Sequence, residues 1–220
     1  MLTIINDSNK GNDVGKTALP KVRSKTQSVV LCGLCIALLA VGAFISVPLG
    51  PVPFTLQTMM LVIILNILSP REGVIATGGY LLLGAIGLPL GAGFKGGLAW
   101  ILGPTGGFLL GFLLAAIVVG LLRHLLIKSG KLPRTIGGTV AMTAALAILI
   151  YLIYTTFGAL WFSIVTSASI EATLVACVFP FIIVDAIKAA VAITCVQPIL
   201  LALGRAYNQT NNQTNSQTPR

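Results

Sequence analysis

Two residues of opposite charge stand inside an apolar run: Asp185 and Lys188, in Pro180-Phe-Ile-Ile-Val-Asp185-Ala-Ile-Lys188-Ala-Ala-Val-Ala192. Read as a helix, positions i and i+3 share one face a turn apart. Pro180 suits the first turn, where its missing N–H costs nothing. The pair therefore falls within about two turns of the helix start, near one membrane surface. An ionisable side chain at the centre of a spanning helix costs about 2.5–3.5 kcal/mol on insertion scales. Even at a shallower depth the pair needs a reason to be there. One reason is a structural ion pair that neutralises itself between helices; the other is a polar ligand site facing a cavity. The pair alone leaves both open.

Few other residues offer chemistry. Gly91-Ala-Gly-Phe-Lys-Gly-Gly97 is a flexible loop with one charge, Lys95, and Gly103-Pro-Thr-Gly-Gly-Phe108 precedes a helix. Free backbone N–H groups at such a start can cradle an anion. Neither stretch has the GK[ST] ending of a nucleotide-binding loop or a preceding strand. Cys32, Cys35, Cys177 and Cys195 all lie in apolar segments, so Cys32-x-x-Cys35 reads as small apolar packing rather than a redox pair. His124, the single histidine, is expected in a basic loop, which leaves no histidine-based metal or triad chemistry. A serine or carboxylate mechanism needs a base and an orienter at depth, and only Asp185 and Lys188 are there. No catalytic residue, metal or cofactor is expected.

The elements that must position these residues follow from composition. The chain has 220 residues, 56% hydrophobic and 9% charged, against about 25% charged in soluble domains. It is an integral membrane protein with room for one membrane domain. The net charge of +9 does not indicate nucleic acid, because the basic residues sit at helix ends and in the tails. Residues 1–27 form a polar, basic arm expected to be disordered. The expected spans are Ser28–Val47, a short one from Thr55 to Leu68, Gly73–Leu90, one launched from Gly103–Phe108 and ending at Leu122, Ile136–Leu160, and Pro180–Leu203. Ser69-Pro-Arg-Glu72 reads as a tight polar turn, and Arg123 through Arg134 as a basic connector. Trp161–Val178 reads as a connector with a short helix. Pro48-Leu-Gly-Pro-Val-Pro53 breaks the first helix and is expected to fold into the protein as a loop, since non-helical backbone at membrane depth must be covered or line a cavity. Residues 205–220, with sequons at Asn208 and Asn212, read as a polar, disordered tail. The fold class is all-α integral membrane, six transmembrane helices with structured outer loops, the membrane domain covering residues 28–204.

Six spans put both termini on one side. With that side cytoplasmic, 12 of the 14 basic residues lie inside, leaving Lys95 outside and Lys188 within the last helix. The Pro-rich loop, the Gly-rich loop and the Asp185/Lys188 turn then converge at the outer face, which favours the ligand reading. On the first span Gly33, Ala37 and Ala40 recur at helical spacing. Small residues at that spacing admit a close helix, from a partner or from the protein itself.

Four motifs in order, Gly50-Pro-Val-Pro-Phe-Thr-Leu-Gln57, Leu83-Gly-Ala-Ile-Gly-Leu-Pro89, Gly103-Pro-Thr-Gly-Gly-Phe-Leu109 and Pro180-Phe-x3-Asp185-x2-Lys188-Ala, make the sequence similar to the BioY family, the biotin-binding substrate subunits of energy-coupling factor transporters. The resemblance implies a six-helix plasma-membrane subunit of bacterial type that captures biotin from outside. It would pair with a transmembrane coupling subunit and two ATP-binding subunits. It further implies ligand contacts from Asp185 and Lys188, with Gln57, Phe108 and, as the polar residue of the Gly-rich loop, Lys95. The loop with Pro51, Pro53 and Phe54 would be the lid, and Gly33, Ala37 and Ala40 the docking face for the coupling subunit. The sequence departs from the family at Val184, where glycine is usual, and in the glycine spacing of Gly91–Lys95. Alternative readings are a substrate subunit for another vitamin, such as thiamine or riboflavin, or a self-sufficient facilitator or channel.

Overall fold

The computed structural model describes residues 25–48, 50–133 and 135–216. Eight α-helices and one two-residue hairpin make up the regular structure of these residues. Most of the expected basic arm, positions 1–24, lies outside the described residues; Lys25 already opens α1 (Lys25–Phe44). The chain then turns through β1 (Ser46–Val47) and β2 (Phe54–Thr55), which pair antiparallel with Ser46 opposite Thr55 and Val47 opposite Phe54. The prolines of residues 48–53 confine the ladder to its two ends, because proline cannot donate to it. Helix α2 (Gln57–Ile67) follows, with the consecutive residues Leu61 to Leu65 all buried. A helix apolar on every side belongs inside the protein, which explains how one of 11 residues sits among longer spans.

Ser69-Pro-Arg-Glu72 starts a helix rather than forming an isolated turn. The Ser69 hydroxyl accepts from the Glu72 N–H, and the Glu72 carboxylate accepts from the Ser69 N–H at 2.9 Å, with Pro70 in the first turn of α3 (Pro70–Ala85). This reciprocal cap satisfies two orphan donors. Ser28 Oγ donates to the same carboxylate at 2.5 Å and ties α1 to the start of α3. Helix α3 stops five residues short of the expected Leu90, because Gly87 takes a left-handed φ of +111° and turns the chain away. Residues 86–97 form a loop with a 3-10 turn at Ala92–Phe94, followed by the short α4 (Leu98–Leu102).

Helix α5 (Gly106–Lys128) runs past the expected end at Leu122, so Arg123 and His124 are helical and do not belong to a connector. Arg123 is buried, 2% exposed, and donates to the carbonyls of Leu65 and, at 2.7 Å, Leu68. Those carbonyls end α2, where a cation complements both the unpaired acceptors and the helix dipole. Helix α6 (Ile136–Thr166) is capped by Thr135, extends six residues beyond the expected Leu160, and ends at Ser167 in the left-handed region. Within the expected connector, Ser169 caps α7 (Ile170–Cys177), the anticipated short helix. The last helix, α8 (Phe179–Ser216), continues into the region expected to be disordered. Once a helix is nucleated, each further residue adds a hydrogen bond, and nothing in Arg205–Ser216 breaks it.

The six larger helices pair in a ring, α1–α3–α5–α6–α8–α2 and back to α1. This is the expected six-helix membrane fold. Four stretches are long and apolar enough to cross a bilayer by themselves, Lys25–Phe44, Gly106–Lys128, Ile136–Thr166 and Ile170–Leu200; α2 and α3 are shorter and lean on the others. In a bilayer, helix association depends on close packing more than on hydrophobic burial. The α5–α6 contact is built that way. Gly107 of α5 faces Trp161, Gly111 faces Tyr154, and Gly158 of α6 faces the Phe108 ring, each so tightly that a Cβ would collide.

Candidate ligand-binding site

Along α8 as far as Leu200 the buried positions are Phe181, Asp185, Lys188, Ala192, Val196 and Leu200, one stripe at helical spacing. That stripe turns Asp185 and Lys188 into the protein, at 8% and 6% exposure, and they form a direct ion pair. Each has further partners from other helices. Tyr154 of α6 donates its hydroxyl to Asp185 Oδ2 at 2.5 Å, within the range of a charge-assisted bond. Lys188 Nζ donates to the Thr55 carbonyl and to Thr58 Oγ1, both at 2.9 Å, and lies 4.4 Å from the centre of the Phe54 ring.

The pair borders a cavity of about 650 Å³, counting the open solvent at its mouth. Polar groups gather on the α2 and α8 side: Thr55, Gln57, Thr58, Asp185 and Lys188, with Tyr154 beside them. Phe108, Leu109 and Phe112 of α5, with Trp100 of α4, supply apolar wall. Gln57, 4% exposed, donates to the Tyr80 hydroxyl at 2.6 Å, and Tyr80 donates to the Leu90 carbonyl at 2.9 Å. This relay links α2 through α3 to the loop of residues 86–97, whose Ala92 also lines the cavity. The Pro-rich loop closes another side, with Val52 packed into a small cluster with Phe162, Cys177 and Phe181.

The residues expected at the site divide. Asp185, Lys188, Gln57 and Phe108 line the cavity together, as does Pro53 of the loop. Phe54 reaches it through Lys188, whereas Pro51 is exposed and outside the lining. Lys95 is exposed and not part of the lining; its carbonyl accepts from the Gly91 N–H at 2.8 Å, which curls the loop and leaves the side chain outward. On α1, Gly33 and Ala37 are exposed, and a Cβ on Gly33 would meet nothing within 4 Å. Ala40 is different: it is 5% exposed and belongs to the protein's own core, because three residues beyond Ala37 turns it toward the neighbouring helices.

Tyr154, Thr58 and Trp100 line the cavity and were passed over by sequence reasoning. Thr58 adjoins Gln57 and was within reach of the motif. Tyr154 sits mid-span in a helix apolar all round, where composition gives no rotational phase. Among the described residues, no group of three or more His, Cys, Asp or Glu could hold a metal ion.

A multi-pass membrane protein that encloses a mixed polar and aromatic cavity beside a buried ion pair is, as a class, a membrane receptor for a small organic solute. The chain belongs to the BioY family, whose profile matches residues 16–205. It is 38% identical over 170 residues to the probable biotin transporter BioY of Pyrococcus horikoshii, an alignment covering 77% of this chain and 93% of that one. Biotin transporter BioY2 of Lactococcus lactis is 35% identical over 188 residues, 86% of this chain and 96% of the relative. Biotin transporter BioY of Thermotoga maritima is 50% identical over a shorter stretch of 96 residues, 44% of this chain and 57% of the relative. The crystal structure of the S-component for biotin from an ECF-type ABC transporter superposes with a TM-score of 0.67 at 26% identity, covering 81% of this chain and 94% of that chain.

Proposed function

We propose that this chain is a substrate-binding subunit that captures biotin at the outer side of a bacterial-type plasma membrane and yields it to an energised partner assembly. The observation that carries the reading is the buried Asp185–Lys188 pair on the wall of a cavity that is otherwise largely apolar. Biotin offers a ureido ring with two N–H donors and one carbonyl, an apolar thiophane and a carboxylate. A carboxylate accepts from the ureido N–H groups, and an ammonium donates to the ureido carbonyl or to the biotin carboxylate. Phe108, Phe112 and Trp100 present the apolar surface that a thiophane needs. The family is one of transporters, and the chain is not an enzyme. No cofactor enters the reading.

The orientation that fits puts both termini in the cytoplasm, with 12 of the 14 basic residues on that side. The cavity lies at the start of α2 and Arg123 at its end, so the site is at the opposite end of the protein from the basic segments Arg123–Lys131. The membrane domain spans residues 28–204. The open face of α1 at Gly33 and Ala37 is the docking surface for a transmembrane coupling subunit, which works with two ATP-binding subunits. The Pro51–Phe54 loop is the lid. Lys95 is at most a contact reached by movement of its loop.

Binding of labelled biotin to the purified full-length chain tests the reading. Asp185→Asn is expected to lower affinity ten- to a hundredfold or more, since a charge-assisted hydrogen bond contributes roughly 1.5–3 kcal/mol. The double Asp185→Leu/Lys188→Leu variant removes both charges together, so no lone ion is left buried. A stable double variant that still binds biotin at full strength would overturn the assignment.

A further inference from the structure

A second concavity lies between α6 and α7, on the outside of the helix ring. It measures about 840 Å³ with its open side and is lined by Tyr151, Leu152, Thr155 and Ala159 of α6 and Thr173 and Leu174 of α7, among others. Leu152, Leu160 and Ile170 on its borders are 54%, 60% and 74% exposed, so in a membrane this groove faces lipid. One hydroxyl in it is buried with no hydrogen-bond partner, Thr173 Oγ1. Thr173 is only 3% exposed. Other helical threonines satisfy their hydroxyls on the carbonyl four residues back, as Thr77, Thr139, Thr143 and Thr166 do. Thr173 Oγ1 makes no such bond, although the Ser169 carbonyl, which accepts the Thr173 backbone N–H, lies four residues back.

A buried hydroxyl without a partner is costly. The acceptor has to arrive with something that also fills an apolar groove. We propose that the α6–α7 groove is a binding site for a phosphatidylethanolamine of the leaflet on the cavity side. An acyl chain lies along Leu152 and Ala159, and an ester carbonyl accepts from Thr173. Depth agrees: α6, at 31 residues, is about 46 Å long and overruns a hydrocarbon core of about 30 Å. Its final turns and α7 therefore reach the layer where ester groups sit. Charge selects the headgroup. Glu171, next to the lining residue Ile170 in the first turn of α7, is exposed, and no lysine, arginine or histidine occurs between Arg134 and Lys188. An ammonium headgroup is favoured there over an anionic one. The groove and the biotin cavity share one wall residue, Thr155, and Tyr151 of the groove stacks edge-on against Tyr154 of the cavity at 5.6 Å.

Native mass spectrometry of the full-length chain in detergent tests this, with added phosphatidylethanolamine or phosphatidylglycerol as probes. One phosphatidylethanolamine is expected to stay bound in preference to phosphatidylglycerol. Thr173→Val keeps the shape and is expected to weaken retention about fivefold, the worth of one neutral hydrogen bond. Ala159→Phe fills the groove and should abolish it; Glu171→Gln should erase the headgroup preference. Wild-type protein that retains no lipid, equal retention by Ala159→Phe, or displacement of the lipid by biotin would each overturn the proposal.

Discussion

The Lys188 ammonium donates to the Thr55 carbonyl across 2.9 Å, so the cation on the cavity wall also ties down the hairpin beside it. An ammonium has three N–H donors. Here they go to Asp185, Thr55 and Thr58, and the Phe54 ring of the same hairpin lies against the charge. A ligand acceptor that recruits Lys188 must displace one of these partners. If it displaces Thr55, occupancy and the position of that hairpin become one equilibrium.

Lys188→Met keeps most of the volume and removes the tie. Amide hydrogen exchange in residues 46–56 should then speed up while α5 and α6 stay protected. Unchanged exchange in the hairpin would show that Val52 and its cluster hold this loop without help from Lys188.

Tyr154→Phe removes the hydroxyl that fixes Asp185 Oδ2 and leaves the ring packing intact. Biotin affinity should fall about tenfold, by loss of one bond to a charged group. Thermal stability should change little. A Tyr154→Phe variant with full affinity would mean that Lys188 alone orients the carboxylate.

Arg123→Leu removes a buried cation and leaves the carbonyls of Leu65 and Leu68 without it. Stranded acceptors cost roughly 1–3 kcal/mol each. A clear drop in melting temperature is expected, with biotin binding retained at low temperature because the cavity is at the other end of α2. Loss of binding in folded protein would instead reveal coupling along that helix.

Gly158→Ala puts a methyl where the Phe108 ring now rests and should push that ring toward the cavity. Biotin binding should weaken. Gly33→Leu with Ala37→Leu touches only the open face of α1, so binding should survive while a co-expressed coupling subunit no longer co-purifies. Binding lost in the α1 variant would assign that face to internal packing.

Orientation is checked by single cysteines. One at Lys95 should react with an impermeant thiol reagent on whole cells, and one at Lys131 should not. The reverse pattern would place the cavity on the cytoplasmic side.

Much of the protein was legible in the order of its residues. Membrane class, six spans and the shared face of Asp185 and Lys188 follow from hydropathy and helical periodicity, which are local properties. Helix ends were less legible where capping competed with the look of a turn, as at Ser69-Pro-Arg-Glu72, or where a charge went inward. Arg123 looked like the start of a connector because an arginine after an apolar run ordinarily is one. Only tertiary packing provides the α2 carbonyls that make its burial tolerable. The same limit applies at the site. Sequence placed Asp185 and Lys188 together, but the rotation of α6 brings Tyr154 to the carboxylate, and that rotation is set by glycines 107, 111 and 158 meeting the opposite helix. Likewise, periodicity grouped Ala40 with Gly33 and Ala37, and the neighbouring helices decided that Ala40 faces the core while the other two face outward. A period fixes which residues share a stripe; the contacts made by the rest of the fold fix which way that stripe points.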